Sequence, residues 1–185
     1  MRQRVLDLAG GLDPGTLRHA DVHQDHVGHE LLGANDHLGP VRGLADQLEI
    51  GEQFPCPART LTDAHFSAFQ LLSGDNHPIH YDRPYCAALG HKDLLAHGLH
   101  ILTLTAAGAG LFPHVIGADL IGFIEVQAKF LKGVYPGDTL YPLLEITELE
   151  RQRTKGVVRM RAALHNQESV LVLEGTHAYL VRLSA

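Results

Sequence analysis

The chain has 185 residues, of which 45% are hydrophobic and 19% charged, and its net charge is −6. That composition points to one soluble globular domain with room for an extension. No Lys/Arg-rich run offers a basic patch, so nucleic acid is excluded as an expected partner. A phosphate-bearing ligand would need a few local side chains or helix N-termini.

Two cysteines, Cys56 and Cys86, cannot build a disulfide framework, and neither lies in a C-x-x-C pair. No metal and no cofactor are expected. The first residues, MRQRVLDLAGGLDPG, lack the apolar core of a secretory signal, so the expected compartment is the cytoplasm. Residues 94–118 carry no Asp, Glu, Lys or Arg, a run long enough to span a bilayer. His97, His100, Thr103, Thr105, three glycines and Pro113 make it too polar and too broken for that. It reads instead as a helix buried on all sides.

Residues 1–46 are rich in Gly, Asp and His with no apolar period, and read as a poorly ordered extension. Residues 47–185 then form the compact domain. Arg59 to Thr62 ends a strand, and Thr62-Asp63 caps a helix over 64–72 with Phe66, Phe69 and Leu72 on one face. Residues 73–82 form a loop rich in Gly, Asn and Pro. A short helix over 84–89 is stopped by Gly90. The charge-free helix runs from about Gly98 to Leu111 and is terminated by Pro113. The period then changes to two, giving strands over 121–131, 139–149, 157–164 and 170–180, with turns at Pro136-Gly137-Asp138 and residues 165–168. A long apolar helix followed by antiparallel strands is an α+β layout, a sheet wrapped around one central helix, as in a single hotdog.

The chemistry concentrates in Ser73-Gly74-Asp75-Asn76-His77-Pro78-Ile79-His80-Tyr81-Asp82. Asp75 and His80 stand five residues apart across a Pro-stiffened loop, so both side chains can reach one small molecule. A carboxylate and an imidazole sharing a water suit general acid–base work. Loops of this composition also hydrogen-bond their own backbone, which is the competing structural reading. Downstream, Ala96-His97-Gly98 opens the apolar helix. Its N-terminal N–H groups favour an oxyanion, and Gly98 lacks a side chain to keep an acyl carbonyl away.

The run SGDNHPIHYDRPYCAALGHKDLLAHGLHILTL closely resembles the (R)-specific enoyl-CoA hydratase motif of MaoC-like proteins. The resemblance covers roughly residues 48–183 and includes Lys129-Phe130-Leu131 and Tyr135-Pro136-Gly137-Asp138-Thr139-Leu140. It implies that Asp75 and His80 are catalytic and that the Gly98 N–H binds the thioester oxygen. His77 and His97 are expected to help bind substrate. His77 departs from the family's usual Asn, altering the pocket or substituting one hydrogen-bonding side chain for another. His100 replaces the usual Met or Leu and reads as a core histidine bonded to a backbone carbonyl.

The implied reaction adds water to, or removes it from, a 2-enoyl thioester, probing no cofactor. The carrier is coenzyme A or acyl carrier protein, and the expected assembly is a homodimer or a multiple of it. Two rival readings stand beside it: a hotdog thioesterase and a non-catalytic acyl-binding subunit. The first is disfavoured because such enzymes place a carboxylate on the central helix, where residues 94–118 have none. A metal site in the run Asp21 to His29, where Asp21, His23, Asp25, His26 and His29 cluster, is the weaker alternative to a solvated tail.

Overall fold

In the computed structural model, Gly43 to Ser184 are described. The expectations for residues 1–42, including the His-rich run at 21–29, lie outside the described residues. Residues 43–46 do not behave as an extension. The 3₁₀ turn Leu44–Gln47 buries Ala45 at 3% exposure, and the Asp46 carboxylate accepts from the Ser184 N–H at 2.9 Å and from Arg151 at 3.0 Å.

Two short strands, β1 (Gln53–Pro55) and β2 (Arg59–Thr60), precede helix α1 (Asp63–Ser73). The Thr62 N–H donates to His65 Nδ1 at 3.0 Å, pairing the cap residue with the third helical position. Phe66 faces the core at 2% exposure, but Leu72 is 83% exposed, so the apolar face expected of this helix ends before its last turn. Gly74 closes it in the left-handed conformation, φ 70°. Helix α2 (Arg83–Ala88) begins at Asp82, whose carboxylate accepts the Tyr85 N–H at 3.0 Å, with Pro84 in the first turn.

The long central helix is not continuous. It is three pieces: α3 (Gly98–Thr103), a 3₁₀ turn at Ala107–Ala109, and α4 (Phe112–Ile116), whose first turn contains Pro113. Pro113 therefore starts a helix rather than stopping one. The break has a physical cause at Thr105, which is fully buried. Its hydroxyl donates to the Leu102 carbonyl at 2.8 Å, and its oxygen lies 3.2 Å from His177 Nε2. His177 Nδ1 lies 2.9 Å from the Tyr179 hydroxyl, whose pKa burial pushes up to about 12. The neutral phenol donates to Nδ1, and Nε2–H donates to Thr105, in one directed chain. Nor is the segment buried all round: Leu99 is 63% and Leu111 60% exposed.

Four long strands follow: β3 (Leu120–Phe130), β4 (Thr139–Arg151), β5 (Lys155–His165) and β6 (Leu171–Arg182). The antiparallel path runs β1-β4-β5-β6-β3, with β2 beside β4. Two apolar clusters hold the helical segment against the sheet. One gathers Phe112, Ile116, Ile146, Met160 and Tyr179; the other gathers Phe66, Ile101, Leu140, Leu164 and Leu173. Asp138 anchors the β3–β4 connection, accepting the Tyr135 N–H at 2.8 Å beside Gly137 at φ 91°. Strand β3 is the free edge of the path and exposes Phe123, Ile124, Val126 and Phe130 at 43–54%. No helix among the described residues is long and apolar enough to cross a membrane.

Candidate active site

The loop after α1 is organised by its own polar side chains. The Asp75 N–H donates to Ser73 Oγ at 3.2 Å, and Asp75 Oδ1 accepts the His77 N–H at 3.3 Å. His77 Nδ1 accepts the Ile79 N–H at 3.4 Å, opening the 3₁₀ turn Pro78–His80. A short polar side chain reaching two residues ahead is the usual device of such turns. His77 is exposed, and its ring nitrogen helps to shape the loop.

That turn delivers His80 next to Asp75. Their facing atoms, His80 Nε2 and Asp75 Oδ2, are 3.9 Å apart, too far for a direct hydrogen bond but close enough to share a water. His80 Nδ1 lies 2.6 Å from the Leu95 carbonyl oxygen and must donate to it. The Nε2 lone pair of the neutral ring is thereby left facing the carboxylate. Burial lowers the His80 pKa; the Leu95 bond and the Asp75 charge oppose that, and the neighbouring His97 and His77 add to it. The imidazole is consequently neutral near pH 7 and free to accept a proton.

Gly98 is the first residue of α3, and its N–H has no partner among the described residues. His80 and Gly98 line one cleft of about 370 Å³, together with Ile101, Phe130, Lys132 and Val134. A Cβ at Gly98 would stand 2.9 Å from the Phe130 ring, so any side chain there would have to push that ring aside. Because α3 has only six residues, the pull on an anion here comes from the local N–H groups more than from a long helix dipole. A second, apolar recess of about 360 Å³ is lined by Phe69, Leu99, Leu102, Thr103, Phe123 and Val126, among others.

Residues 46–167 match the family model for the MaoC like domain. The chain belongs to the MaoC-like domain family. Among its relatives, Protein MaoC of Klebsiella aerogenes is 30% identical over 106 residues, which are 57% of this chain and 31% of that protein. This chain thus spans about a third of that relative. The (R)-specific enoyl-CoA hydratase of Aeromonas caviae is 25% identical over 135 residues, covering 71% of this chain and 93% of the hydratase. The unliganded R-hydratase PhaJ1 of Pseudomonas aeruginosa superposes with a TM-score of 0.63 at 26% identity, over 76% of this chain and 87% of that one. These neighbours make the fold of this MaoC-like domain a hotdog.

The remaining sequence-derived residues fall behind the cleft rather than in it. His97 is 3% exposed, and its ring stacks on His80 with centroids 3.6 Å apart. His97 Nε2 lies 3.1 Å from the Asp75 carbonyl oxygen, so it too donates to a main-chain acceptor. His100 is buried against Phe66 and Phe69, as a core residue, but forms no ring hydrogen bond to a carbonyl among the described residues. Its Nδ1 and that of His97 are both buried without a partner. Asp75, His80 and His97 offer three potential ligand atoms within 4.8 Å of one another. A metal on His97 Nε2 would have to displace the bond to Asp75, and the stacked imidazoles do not converge their lone pairs. The donor set fits proton handling better than metal binding. The sequence marks Phe69 as part of a helix face and Phe130 as part of a strand landmark, but neither as a site residue; their positions in the site depend on strand and helix placement that local periodicity does not carry.

Proposed function

We propose that this MaoC-like domain is a hydro-lyase that hydrates a 2-enoyl thioester to a 3-hydroxyacyl thioester of (R) configuration, or runs the reverse dehydration. The observation that carries the reading is the 3.9 Å gap between Asp75 Oδ2 and His80 Nε2, with His80 locked as a proton acceptor by Leu95. A water seated in that gap donates to both groups. The thioester carbonyl accepts the Gly98 N–H, which draws charge from the double bond and makes Cβ electrophilic. The water oxygen bonds to Cβ, one water proton passes to the Asp75/His80 pair, and the pair returns a proton to Cα on the same face. Net addition is one hydroxyl and one hydrogen, so the pair ends as it began and no redox partner is involved. The acyl chain is assigned to the apolar recess beyond Phe69, whose ring packs 5.1 Å from that of His97. The carrier is coenzyme A or acyl carrier protein, with Lys132 at the cleft available to a carrier phosphate.

The same reading includes assembly into a homodimer through β3, whose free edge and exposed apolar side chains need covering. Incubation with crotonyl-CoA tests the function. Loss of enoyl absorbance without thiol release is the expected outcome. Release of free coenzyme A would indicate a thioesterase, and tight acyl-CoA binding with neither change would indicate a non-catalytic subunit.

A further inference from the structure

The His97 ring adjoins several groups of the candidate site, yet it lies behind the cleft at 3% exposure. It is the residue before α3, where a side chain commonly caps the helix, but it makes no such cap. It reaches instead across 22 residues of sequence to the Asp75 carbonyl oxygen, 3.1 Å from Nε2. One face lies on the His80 ring, centroids 3.6 Å apart and planes 20° from parallel. The Phe69 ring packs 5.1 Å away at a 52° tilt. The chain then runs directly into Gly98, so this one residue adjoins all three groups of the proposed reaction.

Its chemistry is poorly suited to a purely structural role. With Nε2–H spent on Asp75, Nδ1 is an acceptor, and it is buried without a partner among the described residues. A phenyl ring would fill the same space without an unsatisfied nitrogen. We infer that His97 is a positioning residue, which in its Nε2–H form tethers the Asp75 backbone and backs the His80 ring, setting the gap in which the reacting water sits. The inference rests on the roles proposed above for Asp75 and His80.

The stack also has an electrostatic consequence. A positive charge on one ring of a pair stacked this closely disfavours a charge on the other. The titratable groups facing His80 are Asp75, His77 and His97; burial lowers its pKa most, His97 and His77 add to that, and Asp75 opposes it. His100, on the same helix as Gly98, stacks on Phe69 with centroids 5.2 Å apart, and Phe69 also packs against His97.

Two variants separate tether from stack. His97→Phe keeps a flat ring against His80 and loses the N–H; His97→Gln can keep an N–H toward Asp75 and loses the ring. For His97→Phe the expected result is a kcat lower by roughly 10–100-fold with KM nearly unchanged, the scale of a sub-ångström misplacement. The rising limb of its pH–rate profile should move to higher pH, and His97→Gln should recover part of the kcat. Folded His97→Phe with wild-type kcat and an unmoved pH profile overturns the inference. So does a kcat loss accompanied by neither a profile shift nor recovery in His97→Gln, since that is what general loosening would give. The NMR titration of the His80 ring needs no turnover. If the wild-type protein fails to hydrate crotonyl-CoA, the functional reading fails alone; a His80 titration that moves in His97→Phe still supports the positioning role, and one that does not move removes it.

Discussion

Leu95 grips the candidate loop through both of its backbone polar groups. Its N–H donates to the Ile79 carbonyl at 2.9 Å, and its carbonyl accepts His80 Nδ1–H at 2.6 Å. The His80 ring is thus fixed at Nδ1 by main chain, and only Nε2 is left to work. Asp75 has no such clamp on Oδ2, and its side chain is 54% exposed. An ordered acceptor beside a solvent-facing carboxylate can bind one water between them, and in the proposed reaction the pair would act through that water as one unit.

The expected consequence is non-additivity. Asp75→Asn and His80→Ala should each lower kcat for crotonyl-CoA hydration by roughly 10²–10⁴-fold, the usual worth of a positioned acid or base. The double variant should be no slower than the worse single one, because either change already destroys the shared water site. Steady-state kinetics on folded variants decide it, and near-full activity in either single variant rules the mechanism out.

Much of this site could be read in advance because its parts are local. Gly74, Pro78 and the spacing of Asp75 and His80 lie within one loop, and the period-two runs marked all four long strands. What could not be read depends on distant partners. The place of the break after Thr103 is set by Thr105 and His177, 72 residues apart; Gly108 and Gly110 signal a weak helix but not where it ends. β1 and β2, at three and two residues, are too short to show a period and exist because β4 supplies their hydrogen bonds. The fold of residues 43–46 onto Arg151 and Ser184 depends on charges more than a hundred positions away in the chain.

Assembly is tested at the exposed edge. Phe123 and Val126 lie on β3 at 52% and 43% exposure. Val126→Glu places a charge on that edge and should convert a dimer to monomer in light scattering at micromolar concentration, because charge on an edge strand opposes pairing. A wild-type protein that is a stable, active monomer under the same conditions would refute pairing through β3.

The buried histidines make stability depend on pH in a stated direction. Burial lowers the pKa of both His100 and His177 to about 4, against an ordinary value of 6.5. Below pH 6.5 the unfolded chain takes up protons that the folded chain refuses, so stability falls as pH drops toward 4 and is fully present above 6.5. Each group contributes a slope of up to about 1.4 kcal/mol per pH unit within that window. His100→Phe should remove one such slope while preserving the packing against Phe66 and Phe69. Urea unfolding at pH 6.5, 5.5 and 5.0 measures it, and parallel curves for wild type and variant would show that His100 does not carry the effect.

The proposed oxyanion contact can be isolated with a proline, provided that packing is handled first. Any Cβ at Gly98 approaches the Phe130 ring at 2.9 Å, so Gly98→Ala and Gly98→Pro would both disturb the cleft in the wild-type background. Phe130→Ala removes the obstacle, Phe130 being 49% exposed and at the sheet edge. In that background both Gly98 variants add a Cβ, and only proline, with its ring closed on the nitrogen, deletes the N–H. The backbone accepts it: His97 already has φ −60° and ψ 133°, the extended conformation that a residue before proline prefers. Gly98 is the first helical position, where the missing N–H costs no intrahelical bond. If this N–H stabilises the enolate-like oxygen, Gly98→Pro should be about 10²–10³-fold slower in kcat than Gly98→Ala, the usual loss for one such donor. Gly98→Ala should act mainly on KM, because it crowds the acyl group without removing the charge-stabilising contact. Equal kcat values for the two, with both variants folded, would mean that the carbonyl is held by another group.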